Sequence, residues 1–454
     1  MIIMDINSDV LIVGTGAAAL YCSLNLRKDL DVVMLCKSSI TESNSYLAQG
    51  GIATALNDND IKPFMEDTLT AGNNKNDLSA VKILCSESRE VISSLIDLDV
   101  PFNRDSSTGN ILYTREGAHR INRIVYCEDS TGKSVVETLL QHVKKRKNIT
   151  IYDYTTVIDL LCKNDNCTGI VAFNQSGKQI NFYAKTVILA CGGIGGLFKN
   201  STNQRTITGD GLFMALKHNI KLKDIQYIQF HPTALYEENP QSRRFLISES
   251  VRGEGGKLYN VKGKRFVNEL LPRDVVAKAI NEQISKYKCP YVFLDVSFLN
   301  KDFLLKRFPL INSECKKRGI DITKDMIPVS PAQHYFMGGI DVDKCSKTSM
   351  NNLYAVGEAS CTGVHGSNRL ASNSLLEGLV FSKRAAGDIN NKIDNINIDT
   401  SNSAVISETL PQLSVKQQNL VIKELEKRCD FLNDEFFISR PSSPRCSERR
   451  YSMV

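Results

Sequence analysis

A glycine turn set between a short apolar run and a helical stretch constrains this chain more than any other feature. Residues 9–13 (Asp-Val-Leu-Ile-Val) read as a buried strand, and Gly14-Thr15-Gly16-Ala17-Ala18-Ala19 follows at once. A helical pattern then covers 17–27, and a second strand is expected at Val32–Leu35. Strand, tight turn, helix and strand in that order open a parallel α/β sheet. Gly14 permits the turn, Gly16 lets the backbone approach a diphosphate, and Ala19 takes the third small slot, where helix packs on strand. The helix N-terminus offers free N–H groups to phosphate oxygens. Taken alone, the turn is a moderate signal, and a purely structural glycine turn is its alternative.

The rest of the chain extends this pattern. Helices are expected across 64–98 and 132–145, and strands at 150–160, 168–173 and 179–190, the last running into Cys191-Gly-Gly-Ile-Gly-Gly196. From about 225 the pattern is mixed, with helices at 273–287 and 301–318. Strand character returns at Leu353–Val356, and a helix begins near Ser372 and runs to Asp388. A split architecture explains the order: a Rossmann-like α/β nucleotide-binding domain over 1–224, an inserted α+β capping domain over 225–335, and completion of the first domain over 336–390. The tail, 391–454, reads as one amphipathic helix at Ser414–Leu432, with Ser414 as N-cap, and a solvated, disordered end at Ser439–Val454.

Composition narrows the function classes. A chain of 454 residues exceeds one hydrophobic core. Its 42% hydrophobic and 23% charged content excludes a wholly disordered protein. A net charge of +6 carries no signature of a nucleic-acid binder but suits an anionic small substrate. The nearest of the 13 cysteines are Cys162 and Cys167, and no CxxC occurs, which argues against a disulfide framework, a zinc ribbon or an iron–sulfur cluster. Free thiols in a reducing, cytoplasmic setting are expected. Asp5 and Asp9 at the start are unlike a signal peptide, and no apolar run approaches the ~18 residues that span a bilayer.

The nucleotide itself can be narrowed. The acidic residue that usually holds ribose hydroxyls after the second strand is replaced by Cys36-Lys37, which disfavours plain NAD and leaves Lys37 to reach a ribose or phosphate. The small-residue loop Tyr46-Leu-Ala-Gln-Gly-Gly51 and the distant Ala355-Val-Gly-Glu358 supply two more approach points. Three separated segments converging on one elongated ligand suit FAD better than NAD.

Asn44-Ser-Tyr-Leu-Ala-Gln-Gly-Gly51, Thr208-Gly-Asp-Gly211, Gln229-Phe-His-Pro-Thr233, Arg252-Gly-Glu-Gly-Gly256, Pro272-Arg-Asp-Val-Val276 and Asn368-Arg-Leu-Ala-Ser-Asn-Ser-Leu-Leu-Glu377 resemble the succinate dehydrogenase/fumarate reductase flavoprotein superfamily, and within it most closely the aspartate oxidases. The resemblance covers roughly 8–388. It implies noncovalent FAD, because Asn44 stands where the covalent flavoproteins carry a flavin-linked histidine. It implies cofactor contacts from Gly14, Thr15, Gly16, Ala17, Ala18, Lys37, Asn44, Ser45, Tyr46, Leu47, Ala48, Gln49, Gly50, Gly51, Val157, Asp210, Glu358, Ser374 and Leu375. Substrate contacts are implied for Gln229, His231, Leu246, Ser248 (usually Thr), His334, Arg369 and Ser372, with Arg273 as acid/base and Glu116 at the substrate amino group. No metal is implied.

The implied activity is oxidation of L-aspartate to iminoaspartate, with O₂ or fumarate as electron acceptor. Iminoaspartate would feed quinolinate synthase in NAD biosynthesis. The alternatives are a soluble fumarate reductase or succinate dehydrogenase flavoprotein and, because the chain after 390 departs from the family's longer helical domain, a catalytically silent flavin binder. His119 and His365 also fall in motif segments. For any single histidine a satisfied structural role competes with a functional one. Arg273 alone fits a cap-region pair with Asp274, and Glu116 a surface pair with Arg115 or Arg120.

Overall fold

The computed structural model describes residues 4–238 and 242–438. Strand Met4–Val13 pairs in parallel with Val32–Leu35 on one side and Gln179–Leu189 on the other. Its side chains alternate between two cores: Val10 and Ile12 enter one, Leu11 and Val13 the other. Both faces are therefore dry, and that is why these strands read as unbroken apolar runs. Val32–Leu35 is flanked by Ile149–Tyr152, and the far half of the sheet is the antiparallel pair Thr156–Lys163 and Asn166–Phe173. The end of Gln179–Leu189 also pairs in parallel with Leu353–Ala355, which brings the late chain back beside the first glycine turn. Helices Ala17–Asn25, Thr131–Lys144 and Asn373–Lys392 pack together on one face.

A second, antiparallel sheet is built from Ile228–Leu235, Ile327–Phe336, Val292–Asp295 and Lys257–Tyr259, in that spatial order. It has its own core, which includes Leu235, Ile280, Leu294, Phe308 and Val329. Helix Arg273–Tyr287 packs against it.

Several expected elements are divided. The strand at 150–160 is two strands, because the chain leaves one sheet edge at Tyr152 and joins the opposite half at Thr156. Tyr154 takes φ 42° at that crossing, and the Thr155 N–H donates to Cys36 O at 2.8 Å. The helix at 64–98 is two, Asp58–Ala71 and Leu78–Asp97, separated by Gly72 and restarted by Asp77, whose carboxylate caps Ser79 and Ala80. Pro309 divides 301–318 into Lys301–Arg307 and Pro309–Lys316. The tail helix is Leu410–Arg428, not 414–432. Thr409 and Gln412 form a capping box, and Pro411 sits in the first turn, so Ser414 is interior and instead accepts from Gln418. Val421, Ile422 and Leu425 bury in the second core together with Phe437. The stretch Ser439–Val454 lies outside the described residues.

One buried ion cluster fixes the loop that later matters for chemistry. Ile52–Ala53, Ile124–Val125 and Tyr113–Thr114 form a small sheet, and residues 115–123 hang from it. Arg123 is fully buried, with Nη2 2.7 Å from Asp60 Oδ1 and Nη1 2.5 Å from Asp67 Oδ2, above the Phe64 ring. Removing the cation strands two carboxylates away from water. Arg123→Met is expected to lower unfolding free energy by ~3–5 kcal/mol, read from urea titrations. A loss under ~1 kcal/mol would contradict this.

Candidate active site

The first helix begins at Gly16 with no side chain capping its free amides, and Asn373–Lys392 begins the same way after Ser372, which holds φ 64°. Gly16 and Ala18 from the first start, and Ser372, Ser374 and Leu375 from the second, line one long groove. The groove has two ends, of about 830 and 1020 Å³, which share Ala18, Asn44, Ser45, Gly357 and Glu358. Two uncapped helix N-termini opening into a groove of this length are what an elongated diphosphate-bearing cofactor requires.

The first end is walled by Gly14, Thr15, Gly16, Lys37, Val157 and Asp210. Gly14 holds φ 119°, and a Cβ there would stand 2.2 Å from Ala190 O. Only glycine lets the ends of the two neighbouring strands approach this closely. Lys37 Nζ does not reach freely into the groove: Asp210 Oδ2 holds it at 2.7 Å and Thr208 Oγ1 at 3.0 Å. Asp210 thus brings to this end the carboxylate missing after the second strand. Glu358 stands where the two ends meet. Burial pushes its carboxyl up to about 7, although it accepts the Phe336 N–H at 2.9 Å and faces Arg369.

Asn44, Ser45, Leu47, Ala48, Gln49, Gly50 and Gly51 line the second end, together with Ala17. Tyr46 does not: its side chain packs on the first core and its hydroxyl donates to Glu137 at 2.8 Å. Asn44 accepts the Gln204 N–H and donates to Asn203, which ties the loop to 202–204.

Beyond the shared middle lie Glu116, His231, Leu246, Ser248, Arg273, His334, Arg369 and Ser372. Gln229 is not in the wall but fixes it. Its amide donates to Asn368 Oδ1 and Arg369 O at 2.7 and 2.9 Å, and its oxygen accepts from Arg273 Nη1 at 3.0 Å. Arg273, the first residue of its helix, directs Nε to Glu249 at 2.5 Å. Asp274 is not its partner and instead accepts from Asn73. Arg369 lies over the Tyr335 ring at 4.6 Å and donates from Nη1 to Ser374, while its Nε is buried without a partner. Burial and the neighbouring Arg273 bring Arg369 down to about 10.

His231 and His334 meet edge to face with centroids 5.0 Å apart. Burial, followed by Arg273, pushes both well below the usual imidazole range, so both are neutral. The Thr233 N–H donates to His231 Nδ1 at 3.2 Å. The imidazole proton must then sit on Nε2, which is buried in the pocket wall with no partner. Ser248 Oγ accepts from the Ser250 N–H and hydroxyl, so its own proton remains to be donated.

Glu116 is buried, not at the surface. Its Oε2 accepts the Ser372 hydroxyl at 2.5 Å, and no ion pair holds it among the described residues. Arg120 pairs elsewhere, with Glu66 and Asp67. Burial, then the nearby Glu249, pushes Glu116 up. A Cβ on Gly50 would fall 2.6 Å from Glu116 Oε1, so glycine there leaves room for the carboxylate.

Two motif histidines are structural. His119 Nε2 meets Ala371 O at 3.0 Å, and His365 Nε2 meets Glu377 Oε2 at 2.8 Å. Glu249, Thr202, Asn203, Arg243 and Tyr335 also line the pocket and were missed. Glu249 had a signal: it stands three residues before Arg252, on one face of a short helix, and the two are paired at 3.4 Å.

Residues 9–375 match the family described as FAD binding domain. The chain is 55% identical to the L-aspartate oxidase of Clostridium acetobutylicum, over 93% of this chain and 97% of that protein. It is 56% identical to that of Clostridium perfringens, over 86% and 88%. The chloroplastic L-aspartate oxidase of Oryza sativa is 38% identical, over 92% of this chain but 67% of its own length. The E. coli quinol fumarate reductase FrdA superposes with a TM-score of 0.81 at 29% identity, covering 94% of this chain and 74% of that one. The extra length expected from the family pattern is thus a feature of some relatives and not of the Clostridium acetobutylicum protein, which removes the motive for a silent, shortened binder. The chain takes FAD as its cofactor and is a flavoprotein oxidoreductase of the L-aspartate oxidase family.

Proposed function

We propose that this chain oxidises L-aspartate to iminoaspartate, with FAD along the groove and the amino acid in the pocket beyond its middle. When bound, FAD supplies the two-electron acceptor for the hydride leaving C2. The chain's own residues select, orient and isolate the substrate. The Nε–H of Arg369 and the Nε2–H of His231 are buried donors without protein acceptors, and each suits a carboxylate oxygen. Ser248 and His334 complete the anion sites, and Leu246 closes an apolar side. Arg273, tied to Glu249 and Gln229, is the proton-exchanging group. The second sheet and its helices, 225–335, act as the cap that excludes water.

The observation that carries the aspartate reading is Glu116. A carboxylate buried in the same pocket as two arginines, holding only a serine hydroxyl, has no use for succinate but complements an ammonium group. Fumarate or O₂ takes the electrons, and the product passes to quinolinate synthase for NAD biosynthesis.

Glu116→Gln is expected to reduce kcat/KM for aspartate oxidation ~100-fold, about 3 kcal/mol, while fumarate reduction by the same protein falls less than ~5-fold. Equal losses would show that Glu116 does not read the amine. Arg273→Leu is expected to keep bound FAD and lose aspartate turnover, and unchanged turnover would remove Arg273 from the chemistry.

Glu358 gives a pH prediction for FAD-stripped protein. Its folded value, about 7, lies above the unfolded carboxylate value of ~4.3, so its protonation favours the fold. That stability is full below the unfolded value and is lost as pH rises through about 7. Glu358→Gln is expected to flatten the decline of Tm between pH 5 and 8, relative to the unsubstituted protein. Identical slopes would contradict the raised value.

A further inference from the structure

Away from the pocket, the hairpin formed by Thr156–Lys163 and Asn166–Phe173 places Cys162 directly across from Cys167. The turn residues Asn164 and Asp165 hold φ 48° and 60°, a tight two-residue turn that fixes this register. The Cys167 N–H donates outward to Asn351 O at 3.0 Å and not to its cross-strand partner. The two cysteines are therefore a non-hydrogen-bonded pair, the kind in which side chains approach most closely, with Cα atoms ~4.5 Å apart, inside the ~4.4–6.8 Å that a disulfide spans. A register shift between Leu161 and Cys162 gives the backbone local slack. A third sulfur, Met350 Sδ, lies 3.5 Å from Cys162 Sγ.

The surroundings activate one thiol. Helix Asp210–Lys217 ends at this cluster, and Asp159 binds both Lys217 and His218, the latter at 2.7 Å. Hydrogen bonding to Cys167, against the cost of burial and helped by His218, brings Cys162 down to about 6, whereas Cys167 is pushed up. Asp159 and then Cys162 raise His218 to about 9, so the imidazolium faces a thiolate at neutral pH. Cys162 is half-buried and Cys167 buried, as an attacking and a resolving thiol should be.

We propose that Cys162 and Cys167 form a peroxide-oxidised dithiol site at this hairpin. The Cys162 thiolate attacks hydrogen peroxide: an S–O bond forms, the O–O bond breaks, and the departing hydroxide takes a proton to become water. The Cys167 sulfur then attacks the Cys162 sulfenic acid: the S–S bond forms, the S–O bond breaks, and the second hydroxide leaves with the Cys167 proton. Two thiols are oxidised by two electrons, and one peroxide becomes two waters. Peroxide is the two-electron product of O₂, one of the acceptors named above, but the site stands on the hairpin whatever that acceptor is.

The test uses the FAD-loaded enzyme, one to two equivalents of hydrogen peroxide, alkylation and trypsin. Cleavage after Lys163 separates peptide Asn148–Lys163, carrying Cys162, from Asn164–Lys178, carrying Cys167. The expected result is a linked pair lighter by two hydrogens and restored by dithiothreitol. Cys167→Ser should trap Cys162 as a dimedone adduct, and His218→Gln should slow linkage about tenfold at pH 7. Peptides that remain separately alkylated, or oxidation that reaches Cys289 or Cys345 before Cys162, would overturn the proposal.

Discussion

Two arginines are buried in one pocket, one of them with an N–H that no protein acceptor meets, and much of the structure is arranged to hold them there. Arg273 and Arg369 lie in the same wall, and burial together with the charge of Arg273 weakens the hold of Arg369 on its proton. Glu249 neutralises Arg273 at 2.5 Å. Arg369 rests on the Tyr335 ring, whose hydroxyl is held by Glu377 at 3.0 Å, and Glu377 in turn meets His365 and Thr362. Gln229 links both arginine segments through one amide. Among the residues of the pocket wall, Arg369 Nε and His231 Nε2 are the buried donors left without partners, and they mark where negative charge is wanted.

The same pocket explains a division of labour between the two sheets. The parallel sheet brings Gly14, Asn44–Gly51 and the start of Asn373–Lys392 to one groove, although they are separated by hundreds of residues. The antiparallel sheet supplies His231 and His334 from paired neighbouring strands and Arg273 from the helix packed on it. On the proposed reading, these substrate contacts from the antiparallel sheet and its helix join Glu116, Arg369 and Ser372 in one pocket at the end of the groove.

The parallel sheet was readable because its signals are local. Val10–Val13 and Val32–Leu35 are continuous apolar runs, and Gly14-Thr15-Gly16 needs no partner to be recognised. Arg273 and Glu116 were reached only through a resemblance, because nothing local marks a helix-starting arginine as buried or places a loop glutamate beside Ser372. Glu249 was missed although Arg252, three residues on, was a local signal, because its second partner, Arg273, lies 24 residues away and only the fold brings those two together. Tyr46 was misplaced because a motif fixes a backbone path and not the face on which each side chain emerges. The tail helix began at Thr409 because Gln412 and Pro411 outweigh the more obvious Ser414.

Selectivity for an amino dicarboxylate is the central claim, and anaerobic flavin reduction tests it without any assumption about the electron acceptor. With FAD bound and oxygen removed, L-aspartate should bleach the oxidised flavin band, and succinate at the same concentration should leave it unchanged. Equal bleaching by succinate, or none by L-aspartate, would contradict the account.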